Sequence, residues 1–127
     1  MINLSVKRFS DIVVEKLKSL NYEIVLTNPS TENSFPLLEI HTPLKSISKM
    51  SNNIPIGSTF QISITCWNDK QRSAMDMTDE VEEILQELNF TRTNTNSSNY
   101  DQIIKKYGIM ITFEVRYNGM TNSFELK

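Results

Sequence analysis

The chain has 127 residues, 39% of them hydrophobic and 22% charged, which is enough to build one domain with a real core. Its formal net charge of −2 excludes an overall basic field that would hold nucleic acid by counterion release. A single cysteine excludes an internal disulfide, one cysteine and one histidine fall short of a zinc ligand set, and no run approaches the ~20 apolar residues that span a bilayer.

Residues 3–20 read as an amphipathic helix. Val6, Phe9, Val13, Leu17 and Leu20 recur at spacings of three and four, with Arg8, Asp11, Glu15 and Lys18 on the opposite face. Asn3 or Ser5 is placed to cap its start. A short strand follows over 22–27, then a turn at Asn28-Pro29-Ser30. Residues 35–42 form the next strand, with Leu38 and Ile40 on one face and Glu39 and His41 on the other. Residues 43–57 hold two prolines, three serines and two asparagines, and are expected to be a long loop.

Residues 58–67 alternate cleanly. Phe60, Ile62, Ile64 and Cys66 share one face, while Gln61, Ser63, Thr65 and Trp67 share the other, as in a sheet covered on one side. Asn68 or Asp69 is expected to cap a second helix running to about Leu88, whose apolar stripe is Ala74, Met77, Val81, Ile84, Leu85 and Leu88. Its other face carries Asp76, Asp79, Glu80, Glu83 and Glu87, with Glu82 at the flank, so the acidity of the chain is concentrated there. A short strand over 90–95 leads to a polar tip, and residues 107–117 give the strongest strand pattern. Asn118-Gly119 is a favoured hairpin turn, after which residues 120–126 return as an edge strand or leave as a tail. The expected fold is α+β: a single domain over 1–127, with two helices packed on one face of a mainly antiparallel sheet of four or five strands.

The candidate chemistry is sparse. His41 shares a strand face with Glu39, an arrangement open to acid–base work, although a surface histidine at a strand end is the commoner outcome. Cys66 lies in an apolar pattern and reads as a core residue. Gly57, Gly108 and Gly119 stand too far apart to make a phosphate-cradling loop, and no nucleophile-elbow motif is present. No catalytic, cofactor-binding or metal-binding residues are expected. The acidic helix face is either a solvated surface or a negative wall facing a partner. Trp67 is either cover for the sheet or an interface aromatic. The apolar residues of 43–57 either pack back on the domain or mark a surface that becomes buried on assembly. The N-terminal stretch has no apolar leader-like segment, so the chain is expected in a reducing cytoplasm until it is assembled.

Several of these patterns together resemble the tail terminator (tail completion) proteins of long-tailed, non-contractile bacteriophages. They are the apolar end of the first helix over 13–20, the Phe35-Pro36-Leu37-Leu38-Glu39-Ile40 strand and the Phe60-Gln61-Ile62-Ser63-Ile64 strand. Trp67-Asn68 leading into the second helix and Phe113-Glu114-Val115-Arg116-Tyr117 near the end complete the set. The resemblance covers residues 3–118. It implies a structural virion protein at the head-proximal end of the tail, assembled in the host cytoplasm. Copies would close into a hexameric ring on the tail-tube protein, stop tube growth and present a surface to the head-completion or connector protein. DNA would pass through without specific binding. The resemblance further implies that the loops over 43–57 and 93–100 reach neighbours, which makes Lys45, Ile47, Lys49, Met50, Ile54, Ile56, Asn96 and Tyr100 assembly candidates. Asp76, Asp79, Glu80, Glu83 and Glu87 would then face the lumen. The alternatives are another neck or connector protein, a small cytoplasmic enzyme using His41 and Glu39, and a regulatory binding module.

Overall fold

The computed structural model describes residues 3–125. Helix α1 spans Val6–Leu17, and Ser5 Oγ accepts the Arg8 N–H at 3.1 Å, the cap that the sequence offered. A single 3-10 turn follows and stops at Asn21, whose φ of 62° no helix continues. Phe9, Val13 and Leu17 are fully buried, at the spacing of four that puts them on one face. Helix α2 spans Gln71–Gln86. Its N-cap position is Lys70, which makes no side-chain cap bond, so neither Asn68 nor Asp69 caps it. Asp69 instead pairs with Lys106 at 2.9 Å.

The strands are β1 (Glu23–Val25), β2 (Leu37–Ile40), β3 (Leu44–Ser51), β4 (Ile54–Asn68), β5 (Thr91–Thr95), β6 (Asn99–Asp101), β7 (Lys106–Asn118) and β8 (Ser123–Glu125). They form one eight-stranded sheet in the order β1-β2-β4-β7-β5, with β3 added to β4 and both β6 and β8 added to β7. The strand count is therefore higher than the expected four or five. The sheet is also mixed, because β1 and β2 run parallel while the other pairs are antiparallel. The extra strands are short pieces that share the edges of two long ones. β2 and β3 divide one edge of β4, and β5, β6 and β8 divide one edge of β7.

The largest departure lies in residues 43–57. Instead of a loop, they form β3 and the first residues of β4, joined by Asn52-Asn53 with φ of 51° and 64°. Two successive positive φ values match the right-handed twist of a two-residue hairpin, and asparagine is among the residues that adopt them most readily. Two register irregularities, between Ile47 and Lys49 and between Lys49 and Met50, break the alternation that would have advertised a strand. The β7 ladder ends at the Gly57–Asn118 pair. The hairpin tip thus extends past the sheet, held by its own two strands and, at its base, by the Gly119 N–H donating to Ile56 O at 2.8 Å.

One core joins both helices to one face of the sheet. Leu38, Ile40, Phe60, Ile62, Ile64, Cys66, Ile111, Phe113 and Val115 supply the sheet side, and Phe9, Val13, Leu17, Met77, Val81 and Leu85 the helix side. Phe9 stacks on Phe60 at 4.2 Å between ring centroids and on Phe90 at 5.5 Å, with Phe124 edge-on to both Phe9 and Phe90. The lone cysteine, Cys66, is fully buried in this core.

Candidate functional site

The sheet face away from the helices carries the histidine and its carboxylate. β2 and β4 pair Glu39 with Thr65 and Leu37 with Trp67, so Glu39, His41, Thr65 and Trp67 lie on one face within a few ångströms. The Trp67 indole Nε1 donates to Glu39 Oε1 at 3.0 Å, and His41 Nε2 lies 2.8 Å from Thr65 Oγ1 and 4.0 Å from Glu39 Oε2. Glu39 is 6% exposed, and its two oxygens are turned to an indole and an imidazole within its own sheet. Both polar groups are thereby satisfied internally, as a buried carboxylate requires.

Trp67 is 9% exposed and packs with Leu37 and Ile104, flanked by Val25 and Phe35. It covers the end of the sheet, the first of the two readings that the sequence left open, and leaves little of its ring exposed in the single subunit. The ring fits because Gly108 lies directly beneath it. A Cβ at that position would stand 2.7 Å from Trp67 Cζ3.

The acidic face of α2 is exposed as expected, but it is largely engaged within the domain. Glu80 Oε1 accepts the Tyr22 hydroxyl at 2.6 Å, Glu87 pairs with Lys16 at 2.9 Å, and Arg92 lies 3.5 Å from Asp79 and 3.0 Å from Glu82. Burial first, and then the Glu80 carboxylate that accepts its hydrogen bond, push the Tyr22 phenol up to about 12. Of the five proposed lumen acids, only Asp76 and Glu83 have no partner among the described residues. The negative wall is therefore narrower than the residue count implied.

The assembly candidates divide in the same way. Lys45 turns inward: its Nζ donates to Asn3 Oδ1 at 2.7 Å and to the Leu4 carbonyl at 2.8 Å, and it lies 5.7 Å from the Phe60 centroid. Burial lowers its pKa, and it anchors the entry to α1 rather than facing a neighbour. Ile56 is half-buried, and the side chain of Ile54 lies outside the described residues. Ile47 and Met50 are 53% and 51% exposed, and Lys49 between them is exposed as well. A groove of about 410 Å³ lies where the hairpin leaves the sheet, with Lys49, Arg116 and Met120 on its walls.

Asn96 and Tyr100 sit at the other end of the molecule. The Asn96 N–H donates to Met110 O at 2.9 Å, and Tyr100 is partly covered by Tyr107, 4.9 Å away. Beside them, between the first half of α2 and residues 95–98, is a cleft of about 350 Å³. Met75, Thr78 and Ile109 contribute to its lining, and Asp79 and Asn96 stand at its side. Sequence reasoning did not find this cleft, because Met75 lies off the apolar stripe of α2 and reads there as an unremarkable surface residue.

No group of three or more potential metal ligands occurs among the described residues, and none of their helices is long and apolar enough to cross a membrane. The class defined by this geometry is a two-helix α+β domain with an eight-stranded mixed sheet and a projecting hairpin. Compared with known proteins, the chain matches no family and no characterised relative.

Proposed function

We propose that the chain is an assembly protein of a phage tail. In this reading, copies form a ring on the end of the tail tube, end its polymerisation and offer the surface on which the head-completion protein docks. The observation that carries this reading is the β3–β4 hairpin. It extends beyond the sheet and exposes Ile47 and Met50, so it spends apolar surface on nothing within its own subunit. Apolar side chains carried on a projecting hairpin are open to contact with a partner. The two-helix α+β architecture, whose sequence patterns carry the resemblance, is consistent with the same reading. Its action would be mechanical: a ring that matches the tube on one side and not on the other blocks the next layer of subunits.

The test is polymerisation of the tail-tube protein with and without the chain at substoichiometric ratio, followed by light scattering. Early arrest at a lower plateau supports the reading, and an unchanged time course contradicts it. In the same assay, His41→Ala should arrest growth as the native protein does, because the His41 ring serves Thr65 and Glu39 in its own sheet. Loss of arrest with the fold intact would assign the Glu39–His41 pair a role outside this reading.

A further inference from the structure

Of the chain's three glycines only Gly119 follows an asparagine. An asparagine so placed is the one most open to spontaneous loss of its side-chain ammonia, because glycine puts no side chain in the way of its own amide nitrogen. In that reaction the Gly119 nitrogen attacks Asn118 Cγ. The N–Cγ bond forms, the Cγ–Nδ2 bond breaks, and Nδ2 leaves as ammonia with the proton that the Gly119 nitrogen gives up. Water then opens the cyclic imide. Its addition at Cγ yields aspartate, and its addition at the Asn118 carbonyl carbon yields isoaspartate, in which the backbone runs on through Cγ.

The fold restrains both reacting groups. The Gly119 N–H donates to Ile56 O at 2.8 Å, which ties the nucleophile to the base of the β3–β4 hairpin. Asn118 Nδ2 donates to Glu125 Oε1 at 2.6 Å, while its Oδ1 accepts the Met120 and Thr121 N–H groups at 2.8 and 3.3 Å. The leaving amide is held to β8 and the carbonyl to the turn. The two donors on Oδ1 also polarise the carbonyl towards attack, but the nitrogen can attack only after its bond to Ile56 has opened. That opening is a local event at the sheet's edge and does not require the core to unfold.

The same contacts decide what the product does. β8 pairs Ser123 with Asn118 and Glu125 with Arg116, and it carries Phe124, whose ring meets Phe9, Phe90 and Tyr117. In the aspartate product an oxygen takes the place of the Nδ2 donor, so a hydrogen bond becomes two carboxylates facing each other. In the isoaspartate product the lengthened backbone breaks the register of the Asn118–Ser123 pair. Lys49 and Arg116, which line the same groove, offset part of the added charge and restore neither the donor nor the register.

We propose that Asn118 is a masked deamidation site, closed while the hairpin base holds the Gly119 amide, reactive when that base opens, and releasing β8 once converted. The proposal does not depend on the ring reading.

The test incubates the native full-length chain at mildly alkaline pH, folded and in urea, and follows residue 118 by peptide mass spectrometry. In urea Asn118 should convert first among the asparagines, and in the folded chain it should convert about tenfold or more slowly than in urea. Equal rates in the two states would overturn the masking. A faster rate in the folded chain would also overturn it, by giving the donors on Oδ1 the decisive part. Gly119→Ala, which keeps the N–H and adds a Cβ, should slow conversion in urea, and an unchanged rate would remove the Gly119 nitrogen as the nucleophile. The converted chain, separated by its added negative charge, should exchange the amide hydrogens of residues 123–125 about tenfold or more faster than the native chain. Unchanged exchange there would overturn the release of β8.

Discussion

Gly108 shows how one missing side chain fixes a surface. Its Cα underlies the Trp67 ring, and that ring in turn covers Leu37 and holds Glu39 through the indole N–H. Gly108→Ala forces the ring outward and releases a nearly buried carboxylate from its donor. The expected loss is about 2–3 kcal/mol in urea unfolding, with a red-shifted tryptophan emission in the folded state. Tyr22 gives a pH signature. Its folded pKa is raised from 10.0 to about 12, so its contribution to stability is complete below pH 10 and disappears as pH rises through 12. Cys66 is also raised to about 12 by burial and acts with the same sign from pH 9.0 upward. Tyr22→Phe should therefore cost about 1 kcal/mol at neutral pH and flatten, without abolishing, the alkaline fall in stability followed by urea unfolding across pH 9–12. An alkaline fall as steep in the variant as in the native chain would refute this account of Tyr22.

At the scale of elements, legibility followed periodicity. Both helices and the β4 and β7 strands each bury one face, so stripes at three and four or at two announced them; most core residues named from sequence are found inside, while Leu20, Ile84 and Leu88 are only partly buried and Val6 lies outside the cluster. The β3–β4 hairpin escaped because β3 leaves residues 46–50 exposed on both faces and two register irregularities scramble what alternation there is. Its turn was written as Asn52-Asn53 where a glycine would have been the clearer signal. This chain repeatedly uses asparagine for left-handed positions, as at Asn21, Asn89 and Asn122. The direction of Lys45 was illegible for another reason: only the fold brings Asn3 and Leu4, the residues that lead into α1, to its ammonium and gives it two oxygens to meet. Because the tip has no strand on its β7 side, it is separable from the core. Replacing residues 49–56 by Asn-Gly should keep a single cooperative thermal transition within about 1 kcal/mol of the native stability and abolish ring formation in sedimentation velocity. A shortened chain that still assembles would show that the hairpin tip is not an assembly element.

Taken whole, the molecule is directional: a hairpin that exposes Ile47, Lys49 and Met50 stands at one end of its longest strand, and a cleft lined by Met75, Asp79 and Arg92 lies at the other. Its acidic helix face is held mainly by its own lysine, arginine and tyrosine, which leaves Asp76 and Glu83 as the free charges of any negative lining. A ring built head-to-tail leaves no subunit contact unpaired within its plane once closed, so growth stops there. The measurement that bears most directly on this account is electron microscopy of tail tubes assembled in the presence of the purified chain. The account predicts six-fold rings seated on one end of each tube, with tubes shorter than those formed without it. Bare tube ends and an unchanged length distribution would contradict it.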